Sequence, residues 1–180
     1  MSSTDVTVDL GDAVERDWLQ FRRYLEWSEG FALGFLFASD RRVVEEFRRR
    51  VERLCRARVA VLQQVSADDP GSLLAQVLTI VRDRDGVHQH MEAPLWVELL
   101  GRDSGGEWER GRLVVLARLN ERRELLRRNL RRPLIMVFPR GYQRQVREVA
   151  PDLWSIRDFS IEPGSGSEAD EFHQRDQRIF

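Results

Sequence analysis

Val14, Trp18, Phe21 and Leu25 recur at steps of three and four residues, which places them on one face of an α-helix. Gly30 ends that helix, since glycine takes the left-handed cap conformation without steric cost. The unbroken apolar run Phe31–Phe37 reads as a strand buried on both faces. Ser39 and Asp40 follow and can cap a second helix, because their short oxygens accept from its free N–H groups. Its apolar stripe is Val44, Phe47, Val51 and Leu54, surrounded by Arg48, Arg49, Arg50 and Arg53. Arg58–Val65 reads as a second strand. Asp69-Pro70 opens a third helix with the stripe Leu73, Leu74, Val77, Leu78 and Val81, closed by Asp85-Gly86; proline is tolerated in a first turn. Pro94–Leu100 is a third strand, and 101–106 a loop. Trp108–Arg128 forms one long helix carrying Leu113, Leu116, Leu119 and Leu126. Pro133 blocks its continuation. Leu134–Phe138 is a fourth strand, Arg144–Val149 a short helix, and Trp154–Ile161, after the break at Pro151-Asp152, a fifth strand.

One helix followed by five strands alternating with helices predicts an α/β fold. The apolar strands call for a mainly parallel five-stranded sheet with helices on both faces. In such sheets ligands sit beyond the carboxyl ends of the strands. Residues 14–162 read as one domain. Residues 1–13 form a polar, mobile N-terminal segment without periodicity. Pro163-Gly164-Ser165-Gly166-Ser167 is a flexible break, so 163–180 is a polar tail ending in Ile179-Phe180. The chain contains no repeat of solenoid length.

Composition narrows the chemistry. The chain has 180 residues, and all 29 of its basic residues are arginine. Without lysine there is no P-loop lysine, no Schiff base and no lysine general base. The single cysteine, Cys55, excludes an internal disulfide and a multi-cysteine zinc site, and its place on the second helix beside Leu54 reads as core. The net charge of −1 gives no bulk case for nucleic acid or membrane. The first residues are acidic and lack an apolar h-region, and no apolar run approaches the ~20 residues of a membrane helix. A cytoplasmic location is the expectation.

Three blocks carry a resemblance: Leu116–Leu126 (LARLNERRELL), Arg132–Pro139 (RPLIMVFP) and Ala150–Arg157 (APDLWSIR). They resemble a bacterial STAND-like domain of the P-loop NTPase class, of the inactive kind found fused to tetratricopeptide repeats, and the likeness runs from about Trp18 to Ile161. The resemblance implies a P-loop NTPase-like three-layer sandwich used as a scaffold or sensor in defence and signalling. It also implies a protein partner, a STAND or tetratricopeptide-repeat protein among the candidates.

The residues themselves argue against a working phosphate site. Such a loop needs glycine N–H groups, a lysine for the β/γ-phosphates and a Ser/Thr for magnesium. After the first strand stand Ala38, Ser39, Asp40, Arg41 and Arg42, with no glycine and no lysine. Asp40 sets negative charge where a phosphate would sit, and Arg41 supplies charge but no backbone nest. Glu98 occupies the place of a Walker B acid on its strand; its plainer reading is a strand-end carboxylate paired with an arginine. Ser39, Asp40, Arg41 and Glu98 therefore make a degenerate nucleotide site. The expectation is a non-enzyme with no cofactor and no catalytic residue.

Other candidates are weaker. His88-Gln-His90 could share a metal on an extended segment, with Glu92 as the only helper, but reads as a solvated loop. No GxSxG elbow surrounds Ser39 or Ser155. Charge is more informative: residues 110–147 hold twelve arginines against Glu121 and Glu124. Arg122, Arg123, Arg127, Arg128, Arg131 and Arg132 gather at the end of the long helix, where the helix dipole favours cations. That cluster is the expected docking patch for an acidic protein partner. The alternative is an arginine-dependent nucleotide or nucleic-acid binding module; aromatic interleaving is sparse there, with only Phe138 and Tyr142 near, so nucleic acid is the less expected partner.

Overall fold

The computed structural model of the chain describes residues 10–82, 93–101 and 106–164. Among them, seven helices and five strands follow in the order α1 (Asp12–Trp27), β1 (Ala32–Phe37), α2 (Arg41–Ala57), β2 (Gln63–Val65), α3 (Pro70–Arg82), β3 (Leu95–Glu98), α4 (Gly106–Glu121), α5 (Arg123–Asn129), β4 (Pro133–Phe138), α6 (Gln143–Val149), α7 (Pro151–Ser155) and β5 (Phe159–Ile161). The His88/His90 pair with Glu92, the Asp85-Gly86 stop, most of the N-terminal segment and most of the tail lie outside the described residues.

All strand pairs are parallel and the order across the sheet is β2-β3-β4-β1-β5. The handedness of parallel crossovers distributes the helices. From β1 the chain crosses the sheet in one direction to β2, and α2 lies on one face. Every later crossover runs in the opposite direction, so α3 to α7 lie on the other. Two cores result, giving a three-layer α/β sandwich. One core joins α1 and α2 to Leu36, Trp96, Ile135 and Val137. The other joins α3 to α7 to Leu33, Phe35, Val97, Met136 and Phe138. Strands β1 and β4 are buried at all six positions, as their unbroken apolar runs require.

The structure differs from the sequence reading in three elements. The long helix is two: Arg122, with φ −109° and ψ 17°, breaks it, and α5 continues from Arg123. The Pro151-Asp152 break starts a helix, α7, and Trp154 belongs to it; β5 begins only at Phe159. The second strand is three residues long, because the end of α2 consumes the chain before it. There the Ala60 N–H donates to the Cys55 carbonyl at 2.9 Å, and the Val59 N–H to the Arg56 carbonyl at 3.0 Å. This is the Schellman arrangement, whose turning residue is normally glycine. Here it is Val59, at φ +57°, a left-handed conformation that crowds a β-branched side chain. The side chain is 95% exposed, so it contributes no packing in return. Val59→Gly should therefore raise unfolding stability by about 1 kcal/mol, measured by urea denaturation; a loss of stability would show that the valine packs.

Candidate functional site: a plugged crevice and a cavity at the opposite edge

The chain leaves β1 toward the α2 face and leaves β3 and β4 toward the other, so the crevice between these strand ends is the topological switch point where α/β sheets take ligands. Ser39, Asp40 and Arg41 do stand here. Asp40 is the N-cap of α2, accepting from the Arg42 backbone N–H at 2.9 Å and from the Arg42 guanidinium at 3.1 and 3.3 Å. Those bonds hold its carboxyl below the usual carboxylate range. Both are thus committed to the helix end. The Ser39 hydroxyl accepts from the Arg140 backbone N–H at 3.2 Å. Arg41 reaches across and donates to the Gly101 carbonyl, tying the loop after β1 to the loop after β3.

Glu98 spends its hydrogen bonds on other residues. The register that buries Trp96 turns both residues to the α1/α2 face, since side chains two apart share a face. Its carboxylate accepts from the Trp96 indole N–H at 3.0 Å and from the Gln64 amide at 3.2 Å. Among the described residues no arginine bonds to it, and its two donors are neutral.

Arg112 stands beside the end of β3, and sequence reasoning missed it. It is buried on α4. Its Nε donates to the Leu99 carbonyl and its Nη2 to the Leu100 carbonyl, both at 2.6 Å, and its Nη1 pairs with Glu109 at 3.0 Å. The guanidinium carbon lies 5.6 Å from the Tyr142 ring centroid and 6.0 Å from that of Trp108. Tyr142 in turn stacks on Phe138 at 5.5 Å. Burial pushes the Tyr142 phenol up to about 12. The chain's own cation thus caps the carbonyls of the chain leaving β3.

The arginine cluster does not survive as a single patch. Arg132 is buried, which corrects its assignment to an exposed docking surface; it falls just before β4, where the chain turns into the sheet. Arg123 pairs with Asp152 at 3.0 Å and Arg127 with Glu124 at 3.6 Å. Arg122 is half-buried, while Arg127, Arg128 and Arg131 remain exposed. The wider arginine excess is also balanced in space: Arg140 pairs with Glu162 and Arg144 with Glu148, while Arg147 and Arg157 stack on Trp154 at 4.6 and 3.7 Å. The acids that balance the run lie largely outside its window of sequence.

At the other edge, where the strands begin, the structure opens a cavity of about 540 Å³. Leu25, Val51, Leu54 and Cys55 from α1 and α2 form its apolar wall, and Arg58, Arg131 and Arg132 supply charge, with Glu26 and Glu29 also in the lining. Arg132 is 7% exposed. Its Nη2 donates to the Gln63 side-chain oxygen, its Nη1 has no partner among the described residues, and burial lowers its pKa. The residues on either side of Trp27 and of Val59 line the same cavity. Trp27 is 77% exposed and Val61 is also exposed, so exposed apolar side chains adjoin residues of this lining. No group of three or more metal-ligating side chains occurs among the described residues, and no helix among them is long and apolar enough to cross a membrane. Comparison with family models, curated proteins and solved structures finds no match to this chain.

Proposed function

We propose that the chain is a non-catalytic protein-interaction domain, an adaptor in a cytoplasmic bacterial STAND-type defence or signalling system. The observation that carries this reading is the plugged crevice: Arg112 spends its donors on Leu99, Leu100 and Glu109, and Arg41 closes over Gly101. A nucleotide entering there would have to displace internal hydrogen bonds made by charged donors, each among the stronger kinds in proteins. The edge where the strands begin offers the partner surface. Trp27, Val59 and Val61 are exposed there, large apolar groups of the kind that anchor interfaces. Arg131 lines the cavity there, and Arg127 and Arg128 in the last turn of α5 add exposed positive charge. The strained Val59, kept where glycine would be more stable, fits a side chain used for contact. An acidic partner with an apolar anchor meets this chemistry.

Calorimetric titration with ATP and GTP should give no binding heat, and no phosphate should be released. Submillimolar affinity with turnover would sink the reading. Reversing Arg127, Arg128 and Arg131 to Glu should abolish association with the partner while the unfolding midpoint stays near wild type, because exposed substitutions shift stability by less than ~0.5 kcal/mol each. The loss should lie mainly in association rate and shrink at high salt. Unchanged affinity at low salt would place the interface elsewhere.

A further inference from the structure

The cavity where the strands begin differs from the exposed apolar side chains beside it. Arg132 lies inside the protein and, among the described residues, has one neutral amide as its only hydrogen-bond partner. A guanidinium carries five donors and no acceptor, and taking its charge from water without a counter-ion is costly. The neighbouring carbonyls do not meet the need. The end of α1 gives its Tyr24 carbonyl to the Ser28 N–H at 3.0 Å and to the Ser28 hydroxyl at 2.6 Å. The end of α2 gives Cys55 and Arg56 to its own turn. Glu26 is engaged by Arg22 at 2.8 Å. The sheet edge therefore encloses a cation, an apolar wall and an empty volume in one place. About 540 Å³ falls within the range of small-molecule sites.

We propose that this cavity binds a small organic acid, its carboxylate bonded to Arg132 and its apolar body packed against Leu25, Val51 and Leu54. The carboxylate supplies two acceptors in the planar geometry that a guanidinium fork matches. Aliphatic side chains from two helices supply the wall that an inorganic anion would leave unused. The lining arginines outnumber the glutamates by three to two, which suits a single negative charge. The ligand site stands at the edge opposite the plugged crevice and does not depend on how that crevice is read.

Octanoate serves as the probe, with 1-octanol, octylammonium and inorganic phosphate as comparisons, read by calorimetry and by the thermal midpoint. Octanoate should bind saturably and raise the midpoint, as any ligand of the folded state does. Octanol and phosphate should each bind more weakly by about tenfold or more, lacking the charge-assisted pair or the apolar contacts. Octylammonium should not bind. Arg132→Met should lose octanoate binding while the ligand-free protein keeps or raises its midpoint, because the variant removes a buried charge that has no counter-ion among the described residues. Leu54→Trp, which fills the cavity and leaves Arg132 in place, should also lose binding. Three results would overturn the proposal: no saturation by octanoate at millimolar concentration, equal binding of octanoate and octanol, or undiminished octanoate binding in Leu54→Trp. A marked fall in the ligand-free midpoint of Arg132→Met would do so too, since it would assign Arg132 a structural role through Gln63.

Discussion

Arg50→Met lowers the free energy of unfolding by about 3–5 kcal/mol. Arg50 is 5% exposed and its Nε donates to Glu46, 2% exposed, at 2.8 Å. Its two terminal nitrogens grip both oxygens of Glu15 at 2.6 Å. The guanidinium also lies 5.5 Å from the Trp18 ring centroid. One side chain thereby joins α1 to α2 across their buried face. Methionine fills much of the volume but leaves Glu46 inside the protein with Arg53, at 3.3 Å, as its remaining ion-pair partner. A buried carboxylate stripped of its main counter-ion accounts for the size of the loss. Urea denaturation of wild type and variant measures it. Adding Glu46→Leu to the variant should recover a large part, because the stranded charge is then gone. A loss below about 1 kcal/mol for Arg50→Met would mean that the cluster behaves like surface ion pairs.

The apolar strands were readable because burial on both faces leaves no room for polar residues: Phe31–Phe37 and Leu134–Phe138 coincide with β1 and β4 to within a residue. The parallel sheet with helices on both faces followed from alternation alone. Capping chemistry also read true, with Asp40 at the start of α2. Misreadings occurred where local geometry overrode pattern. The break at Arg122 interrupts a stretch whose leucines keep helical spacing on both sides, so periodicity carries no mark of it. Val59 occupies a glycine conformation that propensity assigns to glycine or asparagine. Pro151 reads equally as the end of one segment or as the first residue of α7.

The functional residues were harder for a specific reason. Long arginine runs read as exposed, yet Arg50, Arg112 and Arg132 are buried. Two of the three leave a trace in the sequence. Trp108, Arg112, Leu116 and Leu119 step by four, four and three, so Arg112 stands inside the core stripe of α4. Arg50 likewise stands between Phe47 and Val51, four residues after Glu46. A charged residue within an apolar stripe signals a buried, satisfied cation. Arg132 leaves no such trace, because its burial comes from the packing of α1 and α2 over the strand beginnings, which only the assembled sheet defines.

Arg112→Met should destabilise the fold by about 2–4 kcal/mol without opening a nucleotide site. The Leu99 and Leu100 carbonyls each lose a donor at 2.6 Å, and an unsatisfied buried acceptor costs about 1–3 kcal/mol. Methionine retains contact with the Trp108 and Tyr142 rings through its sulfur, which keeps the loss below the sum of two full penalties. The β3 ladder extends past Glu98 through the Leu99 N–H to the Val137 carbonyl at 2.8 Å, so loosening at Leu99 is expected to spread to the strand end. Amide exchange in 95–101 and 133–138 should quicken ahead of exchange in α1 and α2, which pack on the other face. Nucleotide binding should still be absent. The vacated volume lacks the glycine N–H groups and the lysine of a phosphate cradle, and Asp40 remains bonded to Arg42 at its edge. Gain of ATP affinity in the variant would show that Arg112 alone blocks a competent site, and the adaptor reading would give way to an autoinhibited nucleotide-binding domain.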